Sequence, residues 1–238
     1  MKELRIQQFN KLTTLYTNFI ELESIPSGIV IHPNQILNHE TKQKFSLSFF
    51  KCFSNENLPK GKTSILIFGS QYKPGGGVVN GAKAQEEDIA LVSSWYYQCK
   101  GLDEYYKQNV DARNTDLLIY ADHGYLFFDN FYQELSEYIP VSFIGCAAPN
   151  LNGLSQQGID IDVYPLLSER IKNILLFAEQ EKIENLILGA WGCGVFGLDP
   201  QKVADCFNIE IKKGYYSGHI QFNLPDPKLF DIFTKTIL

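Results

Sequence analysis

SILIFGSQYKPGGGVVNGAKAQEED, residues 64–88, is the stretch that decides the fold. Its first five residues are almost wholly apolar and read as a short buried strand. Gly75, Gly76 and Gly77 follow, and then a helix is expected from about Ala84 to Gln98, opening on Gln85, Glu86 and Glu87. Strand, glycine loop and helix form the repeating unit of α/β sheets, whose ligands bind at the carboxyl ends of the strands. Residues without Cβ let a ligand lie on the backbone. The spacing is not the GxGxxG of dinucleotide-binding loops. Alone, the triplet also fits a surface turn, and the glutamates fit a helix start favoured by the dipole. Neighbouring helical positions point about 100° apart, so two adjacent carboxylates take different tasks. One can hold a hydroxyl while the other handles a proton, and two carboxylates with distinct roles are the usual equipment for breaking a glycosidic bond.

Outward from this run the same alternation continues. Phe9, Leu12, Tyr16 and Phe19 recur at helical spacing over the first twenty residues. Residues 29–31 read as a short strand, and 45–53 is apolar but ambiguous in type. Residues 117–120, 141–146 and 185–188 read as buried strands, 125–128 as a shorter one, 169–180 as a helix, and 219–224 as a late alternating strand. Asp199-Pro200 and Asp226-Pro227 each look like an N-cap followed by proline at the first helical position. No linker or repeat divides the chain. The expected fold is a single three-layer α/β/α domain over residues 1–238, with 1–44 an N-terminal helical extension and 45–238 the core.

A second glycine-rich turn, LILGAWGCGVFGLDP at 186–200, runs from strand to capped helix. Such loops present several N–H groups and suit a diphosphate. No GK[ST] follows, so nucleotide hydrolysis is not indicated. Phe196 is a large aromatic among glycines, suited to capping the core or packing on a ribose. Cys193 has no histidine partner in sequence and reads first as a small packed thiol. CAAPNLNG at 146–153 leaves another apolar run, which places Asn150 on the same rim. His123, Tyr125, Phe127 and Phe128 divide between core and a candidate adenine platform.

Composition bounds the function. The chain has 238 residues, 45% hydrophobic and 20% charged, with a net charge of −6. That size allows a substantial core, and the charge argues against direct DNA binding or attachment to anionic membrane. Five scattered cysteines with no CxxC pair suggest neither a disulfide framework nor a zinc site. No apolar leader and no membrane-spanning run is evident, so a cytoplasmic protein is expected.

Together these pieces resemble the microbial-type poly(ADP-ribose) glycohydrolases, a macrodomain family. The resemblance rests on GGG at 75–77 followed by QEE at 85–87, on SSWYY at 93–97, on IGCAAPN at 144–150 and on LGAWGCGVFG at 188–197 with DPQKVADCF after it. It implies a mixed central sheet between helical layers and binding of ADP-ribose at the strand ends. It implies Glu87 as catalytic acid, Glu86 on a ribose hydroxyl beside the scissile bond, and Gln85 positioning both. Gly75, Gly76, Gly77 and Val78 would line the ribose side. Gly192, Cys193, Gly194, Val195 and Phe196 would cradle the diphosphate and order its ribose, with Asn150 on the rim. The acid must hold its proton near neutral pH, which desolvation and a neighbouring carboxyl favour. No metal or cofactor is required. The substrate would be ADP-ribose polymer, cleaved at ribose–ribose O-glycosidic bonds by a monomer. Alternatives on the same residues are a non-catalytic ADP-ribose-binding module and a mono(ADP-ribosyl) hydrolase acting on modified protein or nucleic acid. Two positions depart from the family pattern: Lys73 stands where NPGGG has asparagine, and Ile67 where LNFAS has asparagine. Both were expected near the ribose.

Overall fold

The computed structural model describes residues 1–20, 24–38, 45–108 and 111–237. Its elements are α1 (Lys2–Ile20), β1 (Ile29–Ile31), β2 (Ser46–Phe50), β3 (Thr63–Phe68), α2 (Gln85–Ala90), α3 (Trp95–Cys99), α4 (Asp103–Tyr106), β4 (Leu118–Phe128), β5 (Glu134–Cys146), α5 (Leu151–Gln156), α6 (Tyr164–Gln180), β6 (Asn185–Leu188), α7 (Pro200–Lys212), β7 (His219–Asn223) and α8 (Pro227–Ile237). The strands form one mixed sheet in the order β1-β4-β5-β3-β6-β7-β2. β5, β3, β6, β7 and β2 run parallel, β4 is antiparallel to β5, and β1 to β4.

Alternation along β3 builds the layers. Leu66 faces a core shared with α6, α7 and α8, whereas Ile65 and Ile67 face a second core shared with α1, α2 and α3. The sheet is therefore covered on both faces, which is why its central strands are continuously apolar. Ile67, expected near the ribose, is fully buried in that second core.

The N-terminal segment is more integrated than the expected extension. β1 is a strand of the sheet. On α1, Tyr16 stacks on Tyr97 at 4.0 Å and Phe9 meets Tyr96 edge-on at 5.0 Å. Buried Arg5 donates from Nη1 to Asp88 Oδ1 (2.5 Å) and from Nε to the Ala82 carbonyl (2.8 Å), and Gln8 donates to the Leu91 carbonyl. α1 thus packs directly behind the run from the glycine triplet to α2.

The expected helix over 84–98 is two short helices. The break at 91–94 follows from paired serines: Ser93 Oγ donates to the Ile89 carbonyl and accepts from the Trp95 N–H, while the Ser94 N–H bonds to the Tyr125 carbonyl. Serine side chains that bond nearby backbone compete with the helix ladder. The strand segments 117–120 and 125–128 are one strand, β4, kinked by a bulge between Ala121 and Gly124.

Candidate active site

Because β3, β5, β6 and β7 are parallel, their carboxyl ends lie on one rim. Each strand hands over to a segment singled out above. β6 pairs with β3 only as far as Ile65 and Ile187, and then diverges. Gln85 takes its place. Its Oε1 accepts from the Phe68 N–H (2.9 Å), and its Nε2 donates to the Leu66 carbonyl (2.9 Å) and to Ser54 Oγ (3.2 Å). One amide side chain so completes the edge that the departing strand leaves open, and fixes the start of α2 to the end of β3.

Glu86 and Glu87 are both buried. Glu86 is held at each oxygen: Oε2 accepts from the Ser70 N–H (2.6 Å) and Oε1 from Trp95 Nε1 (3.2 Å). Burial, reinforced by the neighbouring Glu87 and opposed by these N–H donors, pushes the Glu86 carboxyl up to about 8. Glu87 is held at one oxygen only. Its Oε1 accepts from the Gly77 N–H (2.8 Å), while its Oε2 is buried with no protein partner among the described residues. A buried oxygen left unpartnered is uncommon and calls for a functional explanation.

The triplet is shaped around these carboxyls. Gly75 and Gly76 adopt φ of 62° and 61°. A Cβ on Gly76 would fall on Glu87 Oε1 and 3.2 Å from Glu86 Oε2. Gly76→Ala is therefore expected to combine about 1–2 kcal/mol of left-handed strain with displacement of both carboxyls. Turnover should fall at least tenfold, a near-attack geometry being sensitive to displacements of about 1 Å, alongside a lower melting temperature. Val78 does not face a ligand: it is fully buried beneath the loop, where its methyl groups support Gly75.

Beside the carboxyl pair lies a cleft of about 420 Å³. One wall is Lys83, Ala84 and Gln85; facing it is the second glycine loop, Gly192 to Phe196. Neither glutamate nor the glycine triplet lines this cleft, whereas Gln85 before the pair and Asp88 and Ile89 after it do. In the second loop Gly192 takes φ 80° and Gly197 φ 74°. A Cβ on Gly194 would meet nothing within 4 Å. Among the described residues the N–H groups of Gly194, Val195 and Phe196 have no protein acceptor, which leaves them free for an anion. Burial pushes the Cys193 thiol up to about 12, so it is neutral and unsuited as a nucleophile.

Asn150 serves the loop indirectly. Its Oδ1 accepts from the Gly153 N–H and caps α5. α5 in turn carries Asn152, which donates from Nδ2 to the Val195 carbonyl and from its backbone N–H to the Phe196 carbonyl. Phe127 and Phe128 are core residues, Phe127 ringed by Phe19, Tyr125 and Tyr138. They do not reach the cleft. Its aromatic lining comes from Phe53, Phe68, Trp191 and Phe196, and a further part of its wall from Asn223, Leu224 and Leu229. Phe53 and the 223–229 segment were missed in sequence. They meet only because β2 pairs with β7, from the opposite end of the chain.

A three-layer α/β/α domain with a buried carboxyl pair beside an anion-ready glycine loop is built for hydrolysis of a phosphorylated glycoside. The model of the microbial-type PARG catalytic domain matches residues 4–128, and the chain belongs to that family. It is accordingly a glycosidase acting on poly(ADP-ribose). The fold is similar to that of poly(ADP-ribose) glycohydrolase from Thermomonospora curvata, at TM-score 0.78 and 24% identity over 88% of this chain and 85% of that one. It is also similar to the poly(ADP-ribose) glycohydrolase of Deinococcus radiodurans in complex with ADP-ribose, at TM-score 0.78 and 28% identity over 88% of this chain and 94% of that one. No curated protein sequence matches the chain.

Proposed function

We propose that this chain cleaves the ribose–ribose O-glycosidic bond and releases ADP-ribose, with Glu87 as general acid and then general base. The observation that carries the assignment is the asymmetry of the pair. Both Glu86 oxygens are bound to N–H donors, whereas Glu87 keeps one oxygen without a protein partner. Glu87 gives its proton to the departing ribose oxygen as the C–O bond breaks. An oxocarbenium-like ribose forms, water attacks it, and the carboxylate takes the water's proton. Glu86 carries a proton at neutral pH, because burial makes ionising both carboxyls costly. It therefore has an O–H to share with Glu87, and through that sharing it supplies the proton that Glu87 passes to the departing oxygen.

The diphosphate lies on the free N–H groups of Gly194 to Phe196, with the nucleoside in the cleft beyond. Incubation with poly(ADP-ribose) and with a singly ADP-ribosylated protein tests the reading, with free ADP-ribose as the readout. Release from the polymer is expected. Binding of polymer without release makes the chain a binding module, and release from the singly modified protein alone makes it a mono(ADP-ribosyl) hydrolase.

A further inference from the structure

The geometry points to a second binding surface, formed by Tyr72 and Lys73, for the adenosine diphosphate portion of the leaving unit. This rests on the hydrolase reading above. β3 has β5 on one side and β6 and β7 on the other. Apart from Phe68 at the end of β3 and the 83–89 segment at the start of α2, the cleft is lined by residues at or after the ends of β6, β7 and β2, and none of residues 69–82 lines it. The segment after β3 turns the opposite way. Buried Gln71 donates to the Tyr105 carbonyl (2.8 Å) and accepts from the Thr115 N–H (2.7 Å), which ties it to α4 and to the approach to β4. The carboxyl pair therefore stands between the cleft and this turn.

The turn is rigid in backbone and free in side chain. The Ser70 N–H is bound to Glu86, Ser70 Oγ accepts from the N–H groups of Tyr72 and Lys73 (3.1 Å each), and the Lys73 carbonyl accepts from the Gly76 N–H (3.0 Å). Tyr72 is nevertheless 54% exposed. Lys73 is exposed too and makes no ion pair among the described residues. An aromatic face and a cation are thus presented on a backbone anchored at one end to Glu86 and at the other to the glycine triplet.

The chemistry of the polymer matches that pair. The bond cleaved joins C1 of one unit's ribose to the 2′ oxygen of the next unit's adenosine. The leaving group so carries an adenine on the carbon next to the one that bears the reacting oxygen, and a diphosphate on the same sugar. Bases stack on exposed aromatic rings, and a lysine is a point charge for phosphate. In a chain of net charge −6, an unpaired lysine here selects for an anionic leaving group. A singly modified amino acid offers neither adenine nor diphosphate.

The test compares KM for poly(ADP-ribose) with Kd for free ADP-ribose, which occupies the cleft alone. Tyr72→Ala should raise KM about tenfold, the value of one base stack, and Tyr72→Phe should restore it. Lys73→Gln should raise KM several-fold and flatten its dependence on salt. Both variants should keep the wild-type Kd for ADP-ribose, which also reports that they are folded. Wild-type turnover together with unchanged KM in Tyr72→Ala and Lys73→Gln overturns the inference alone. A wild type that releases no ADP-ribose from polymer overturns the hydrolase reading, and the inference with it.

Discussion

Glu87→Gln should lower kcat on poly(ADP-ribose) by roughly a hundredfold or more, the usual worth of general acid–base catalysis, with little change in affinity for ADP-ribose. The amide is nearly isosteric and can still accept from the Gly77 N–H (2.8 Å in the parent), so the triplet keeps its shape. What is lost is the acid–base oxygen Oε2, the one without a protein partner among the described residues. On the proposed placement, product binding depends on the cleft and on the Gly194 to Phe196 N–H groups, which the substitution does not touch. A kcat and KM measurement beside an ADP-ribose titration separates these effects. Equal turnover in variant and parent removes Glu87 from the mechanism. Equal loss of turnover and of ADP-ribose binding shows a collapsed site instead.

The contrast with Glu86 was legible in sequence only in part. Adjacent helical positions had to diverge, so different tasks for the two glutamates could be read from QEE. That Ser70 and Trp95 occupy Glu86 could not, because both contacts are tertiary. Trp95 reaches back across the break between α2 and α3, where helical periodicity alone predicts one continuous helix. Ser93 and Ser94 were the available signal for it.

The central strands were legible because parallel strands covered on both faces must be continuously apolar. The glycine loops were legible because each follows such a strand. The cleft's outer wall was not. Phe53 and Leu224 lie at opposite ends of the chain and become neighbours through the parallel pairing of Phe50 with Asn223, which no local pattern encodes. Val78 shows the complementary error: it sits in a motif segment, yet it supports the loop from the core. Proximity in a motif did not distinguish contact with the ligand from construction of the site.

Glu86→Gln should change the pH dependence of stability by several kcal/mol. In the unfolded chain the carboxyl titrates near 4.5, and in the folded protein burial moves it to about 8. Below about pH 4.5 it is neutral in both states and costs nothing. Between the two values the folded state keeps a proton that the unfolded state releases, so stability falls as pH rises. Above about 8 the group is charged in both states and the full burial penalty is present, on the order of 5 kcal/mol. Glutamine stays neutral throughout. Its NH2 must face either the Ser70 N–H or Trp95 Nε1, so it loses one hydrogen bond, a cost of about 1–3 kcal/mol at every pH. The variant should therefore melt below the parent at pH 5 and above it at pH 9. The difference between the two melting temperatures should shift by on the order of 10 °C across that range. Parallel melting curves at all pH values would show that Glu86 is ionised in the folded protein at neutral pH. With the parent shape confirmed, the penalty becomes the cost of function: the site holds a carboxyl where burial keeps it protonated, so that Glu87 has a neutral neighbour and a shared proton when the glycosidic bond breaks.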